Sequence, residues 1–215
     1  MAETHSTVAH QFDDVAQQHE ANVLGMWVFL ATEVLFFGGL FVAFTIYRAS
    51  YHEAFTQASR HLDVLLGGIN SALLFTSSFT MTMALRSAQQ NQRKALIAFL
   101  ILTIVLGATF LGIKGTEYYH KFEQHLVPGQ SFHYEAGMVR QAQLFFSFYF
   151  VMTGMHALHL VIGIAILAVL VARARRGHFS RESHAAVEMT SLYWHFVDIV
   201  WIFLFPCLYL LGGLG

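Results

Sequence analysis

A chain of 215 residues that is 56% hydrophobic and 15% aromatic, with only 12% charged residues, is not built like a soluble domain, in which about a quarter of the residues are charged. Its formal net charge of −1 provides no basic field for nucleic acid, and its one cysteine, Cys207, excludes an internal disulfide framework and a thiolate metal site. The apolar residues gather into long blocks rather than at strand or amphipathic periods. The expected fold class is therefore all-α, a polytopic membrane protein formed as a bundle of five transmembrane helices.

Residues 1–21, beginning MAETHSTVAHQ, are polar and mildly acidic and lack the basic start and cleavage site of a signal peptide. They are expected to be a cytoplasmic tail ahead of one domain, residues 22–215. A membrane helix needs about 20 mostly apolar residues, and five stretches qualify: Val23–Tyr47, Leu62–Leu85, Ala95–Ile113, Leu144–Ala172 and Ala185–Leu211.

The first span, GMWVFLATEVLFFGGLFVAF, carries Glu33, which at about 1.5 Å per residue lies near mid-membrane. Such a carboxyl is either proton-active or ligand-binding, or it is a hydrogen-bonded packing residue between helices. In the second span, Gly67 and Ser71 form a small-xxx-small pair, and Asn70, Thr76, Ser77 and Ser78 can bond across helices, so it is read as a packing face. Ala108 and Gly112 repeat that spacing in the third span, which leads into Tyr118 and Tyr119, residues suited to an interfacial aromatic belt.

Loops two (RSAQQNQRK) and four (RARRGHFSRES) hold Arg86, Arg93, Lys94, Arg173, Arg175, Arg176 and Arg181, whereas loops one and three mix bases with acids. The positive-inside rule puts loops two and four in the cytoplasm, with the N-terminus inside and the C-terminus outside. No inverted repeat with paired broken helices is visible, which disfavours a secondary transporter.

In the fourth span Tyr149, Thr153, His156, His159 and Gly163 fall on one stripe at the helical period. The stripe should face protein or lipid head groups. Its histidines could ligate a metal or a haem, although the sequence completes no ligand set. In the fifth span Glu188, Ser191, His195 and Asp198 lie within roughly 80° at about 100° per residue, and His195 and Asp198 could share a proton. Trp194 and Trp201 point elsewhere and are expected to pack or to touch lipid.

Together GMWVFLATEVLFF, INSALLFTSS, LGATFLGIKGTEY, FYFVMTGMHALHLVIG and YWHFVDIVWIFLF resemble the subunit III family of haem-copper terminal oxidases, in this order and over about residues 22–211. The chain looks like the short five-helix bacterial form of cytochrome c oxidase subunit III. The resemblance implies a non-catalytic core subunit that packs directly on subunit I, with subunit II and possible further respiratory subunits as partners, in the bacterial inner membrane. It implies no haem, copper or other metal in this chain, and bound phospholipid whose phosphates meet Arg173, Arg176 and His178. Glu33 matches the family's buried, carbodiimide-reactive carboxyl near the lipid cleft, in a subunit that the resemblance places beside the proton entrance of subunit I. His156, His159, Glu188, His195 and Asp198 then read as structural polar residues inside the membrane. Lys114 stands where the family commonly has Gln, and Ala157 where it commonly has Gly. A quinol oxidase subunit and a nitric oxide reductase accessory subunit are the neighbouring alternatives, and a small proton-coupled transporter is the remote one.

Overall fold

The computed structural model describes residues 15–129, 132–134, 137–176 and 184–210. Among them there is no strand. The elements in order are α1 (Val15–Ser50), α2 (His52–Ser59), α3 (Val64–Gln89), α4 (Arg93–Glu123), α5 (Val139–Arg175) and α6 (Ala185–Phe205), followed by a π-helical turn at Pro206–Leu210. Five segments, Glu20–Ser50, Val64–Gln89, Arg93–Glu123, Val139–Arg175 and Ala185–Leu210, are long and apolar enough to cross a membrane. This is the all-α, five-span bundle expected from the sequence.

The spans differ from expectation mainly in length. At about 1.5 Å per residue, the 36 residues of α1 and the 37 of α5 exceed what a hydrocarbon core of about 30 Å requires, so both helices run beyond it. α4 continues ten residues past Ile113, through Lys114, Glu117 and Lys121. The sequence reading ended that span at its first charge.

Local chemistry explains the boundaries. Asp63 starts α3 by accepting the backbone N–H groups of Leu65 (2.9 Å) and Leu66 (3.1 Å), an N-cap at the end of loop one. Asn91, at φ 58°, takes the left-handed conformation that Asn tolerates and turns α3 into α4. Pro206 lacks the N–H that would continue the helical ladder, and the chain widens there into the π-helical turn.

α2 was not expected. Ala54, Phe55 and Ala58 are its buried apolar residues, too few for a periodicity signal, and Phe55 wedges between Phe44 of α1 and Phe145 of α5 at 5.5 Å from each ring.

α6 is the most enclosed span and α1 the most exposed. α3 packs on α4 and α6, α5 on α4 and α6, and α1 lies along α6 and α5 at the periphery. The close approach of α4 is at Gly107, whose added Cβ would stand 3.0 Å from Trp194. Ala108 and Gly112, the pair expected to pack, face outward. Trp194 and Trp201 are 0% and 1% exposed, so they pack inside the bundle and do not touch lipid.

Candidate functional site: intramembrane polar pairs

Glu33 of α1 meets His159 of α5, carboxylate Oε2 to ring Nε2, at 3.0 Å. The helix itself orients the imidazole, because Nδ1 lies 2.7 Å from the carbonyl oxygen of Met155, one turn back. A carbonyl only accepts, so Nδ1 carries a hydrogen. Nε2 and Glu33 therefore share a single proton between them, either as imidazolium with carboxylate or as neutral imidazole with carboxylic acid. Tyr193 of α6 donates its hydroxyl to the His159 carbonyl at 2.9 Å, tying three helices together. The pair is partly open, with 19% of the Glu33 side chain and 11% of that of His159 exposed. It borders an otherwise apolar cavity of about 390 Å³ lined by Met26, Phe29, Ile162, Ile166 and Met189 among others.

The seam between α3 and α6 holds the remaining residues of the fifth-span polar face. Trp194 donates Nε1–H to Ser77 (2.8 Å) and Trp201 to Ser71 (3.0 Å). His195 Nδ1 meets Ser78 at 2.7 Å and its Nε2 meets Ser191 at 3.2 Å. The serines of α3 thus serve the packing role expected of them. The expected sharing of a proton between His195 and Asp198 is not found. The ring nitrogens of His195 are taken by hydroxyls, and neither buried Asp198 oxygen is hydrogen-bonded to that ring. A helical wheel reports angle but not which neighbour arrives first. Glu188 is half-buried in the first turn of α6, where the helix N-terminus favours a carboxylate. His195 also lines an apolar groove of about 630 Å³ between α1 and α6.

The most complete polar cluster was missed. Lys114, 3% exposed, directs its three ammonium hydrogens to Glu117 Oε2 (2.9 Å), the Tyr149 hydroxyl (3.1 Å) and the Tyr209 hydroxyl (2.6 Å). Tyr209 in turn donates to Glu117 Oε1 at 2.7 Å, closing a ring. Four aromatic faces, those of Tyr118, Tyr149, Trp201 and Tyr209, surround the cation at 4.9–5.5 Å, close enough for cation–π attraction. The available signal was a Lys and a Glu three apart at the end of an apolar block.

At the opposite end, Arg93 at the start of α4 donates to the last carbonyls of α5, at Ala174 (2.8 Å) and at Arg175. This brings loop two against the α5 terminus, where Arg173 and Arg176 are exposed. His178 lies outside the described residues. His156 is buried at 1% exposure on the same α5 stripe. No group of three or more His, Cys, Asp or Glu side chains that could hold a metal ion occurs among the described residues.

A five-span helical membrane bundle with a carboxylate–imidazole pair inside the membrane defines a class, and the comparisons define the family. The family model for cytochrome c oxidase subunit III matches residues 5–213. A cytochrome c oxidase subunit 3 from Synechocystis sp. is 36% identical over 193 residues, covering 89% of this chain and 76% of its own. One from Thermostichus vulcanus is 34% identical over 201 residues, covering 92% of each, and one from Salmo salar is 34% identical over 206 residues, covering 88% of this chain and 69% of its own. The chain belongs to the cytochrome c oxidase subunit III family. It is thus a multi-pass membrane subunit of an oxidoreductase complex.

Proposed function

We infer that this chain is the non-catalytic core subunit III of a cytochrome c oxidase, which packs on the haem- and copper-bearing subunit I, retains phospholipid and supports proton uptake. In this reading dioxygen reduction belongs to subunit I, with subunit II as the further core partner, and no residue of this chain touches a reacting atom. The observation that carries it is the Glu33–His159 pair. A single proton held between two partly open side chains suits proton exchange at a protein boundary and supplies no redox chemistry. Among the described residues, Arg86, Arg93 and Lys94 of loop two and Arg173, Arg175 and Arg176 of loop four gather at one end of the bundle, in keeping with the Arg93 contact with the α5 terminus. That clustering supports a cytoplasmic N-terminus and an outward C-terminus in the inner membrane. The same end, with Arg173 and Arg176 exposed, suits phosphate binding by guanidinium.

The test is purification of this chain from its native membrane. It should bring down a haem-bearing subunit I and a copper-bearing subunit II, and the complex should oxidise reduced cytochrome c. The chain released from that complex should carry no haem spectrum. Stoichiometric haem on the isolated chain would overturn the reading.

A further inference from the structure

The most deeply buried side chains without partners lie outside both the Glu33 pair and the Lys114 ring. His156 on α5 is 1% exposed and Asn70 on α3 is 0% exposed. Neither ring nitrogen of the first, nor either amide atom of the second, reaches a hydrogen-bond partner among the described residues. A buried polar group left unpaired costs about 1–3 kcal/mol, and native interiors leave few of them without protein or water.

Trp201 links the two helices that carry these side chains. The His156 ring stands 5.3 Å from Trp201 and 5.5 Å from Phe110, and those two rings stand 4.8 Å from each other. Trp201 reaches across to Ser71, the residue after Asn70. The antiparallel register of α3 and α4 is pinned by the Thr80–Thr103 hydroxyl contact at 2.8 Å. Ten residues along each helix from that contact, Asn70 comes level with Ile113, beside Lys114. The Lys114 ammonium lies 5.4 Å from the Trp201 ring, and the Tyr149 hydroxyl accepts from it.

We propose that His156 and Asn70 ligate internal water beside Trp201, close to the Lys114 ring. A buried water needs two to four polar partners, and an imidazole and a carboxamide supply donors and acceptors of both kinds. One imidazole and one amide are too few for a metal site, which leaves water as the ligand this donor set fits.

Hydroxyl-radical footprinting of the assembled oxidase by brief X-ray exposure tests this, because water held inside a protein generates radicals in place. Trp201 and Trp194 are both 1% exposed or less, so bulk solvent treats them alike. The expected result is severalfold faster oxidation of Trp201 than of Trp194. Equal protection of the two indoles would overturn the proposal. In His156→Leu and Asn70→Leu complexes, oxidation of Trp201 should fall and the melting temperature should drop. A melting temperature unchanged or raised would also overturn it, since replacing a dry, unpaired polar group by an apolar one is neutral or stabilising. If a variant does not assemble, the wild-type footprint decides alone.

Discussion

Glu33 Oε2 and His159 Nε2 lie 3.0 Å apart across α1 and α5, and the Met155 carbonyl on Nδ1 leaves that contact one proton. A hydrophobic carbodiimide reacts with a protonated carboxyl in an apolar setting, which the neutral form of this pair beside its cavity provides. Glu33 should therefore be labelled in preference to Glu53 and Glu123, which are solvent-exposed. Glu33→Gln should abolish the labelling and leave the assembled oxidase able to reduce oxygen. In His159→Leu no imidazole competes for the proton, and labelling should become faster. Peptide mapping of the labelled complex checks all three. Complete loss of oxygen reduction in a fully assembled Gln variant would mean that the pair takes a direct part in turnover.

The exposed guanidinium groups at the end of α5 lead to a second prediction. Arg173→Gln combined with Arg176→Gln should reduce the phospholipid that stays with the complex, because guanidinium–phosphate bonds are charge-assisted. The spans should still insert, since the Arg93 contacts to the α5 carbonyls are untouched. Native mass spectrometry counts the lipid. An unchanged count would restrict these arginines to a topological role.

The Lys114 ring should behave as a unit. Removing one member of a buried ion pair costs about 3–5 kcal/mol because the other charge is stranded. Lys114→Met alone and Glu117→Leu alone should each lower the melting temperature of the complex strongly. The double variant should fall well short of the sum of the two. Tyr209→Phe removes the hydroxyl that bridges both charges and should cost about 1–3 kcal/mol. Additive losses would show that the ring does not act as one cluster.

The five spans and their order were legible because an apolar block of membrane length has few other readings, and the α5 stripe was legible because helical spacing alone places Tyr149, Thr153, His156 and His159 on one buried face. What spacing cannot supply is the partner across a helix contact. Glu33 was singled out, but its union with His159 depends on how α1 lies against α5. His195 and Asp198 share a face and yet do not bond, because Ser78 on α3 takes the ring nitrogen first. The cluster around Lys114 was not legible because the third span was ended just before that charge, whereas three hydroxyl and carboxylate acceptors from α4, α5 and the final turn keep it inside.

Loop one carries a pH dependence of known sign. Burial, and next the Lys121 ammonium, lower the pKa of His61 from its ordinary 6.5. The fold thus favours neutral His61, and the unfolded chain binds the proton more readily, so stability is full above pH 6.5 and is lost as pH falls through the depressed folded value. The His61 ring lies 5.6 Å from that of Tyr134, so hydrogen exchange across residues 132–134 should accelerate on acidification. Lys121→Met should weaken that response. An identical pH profile in His61→Gln would exclude His61 as its source.

Two glycines on different helices close on Trp194, and they yield the last prediction. An added Cβ at Gly107 of α4 would stand 3.0 Å from this indole, and one at Gly163 of α5 would stand 3.0 Å from another of its atoms. The indole is gripped between two helices while its Nε1–H is held by Ser77 of the third, so it cannot swing aside. Gly107→Ala and Gly163→Ala should each destabilise the complex by about 1–3 kcal/mol, the usual cost of overpacking. Gly112→Ala, whose Cβ meets nothing within 4 Å in this chain, should change stability by less than about 0.5 kcal/mol unless a partner subunit covers that face. Because both clashes act on one side chain, Trp194→Phe should relieve either of them. Thermal melts of the purified complex in the Trp and Phe backgrounds measure the coupling. If the Ala variants cost the same in both, the indole is not what the two glycines accommodate.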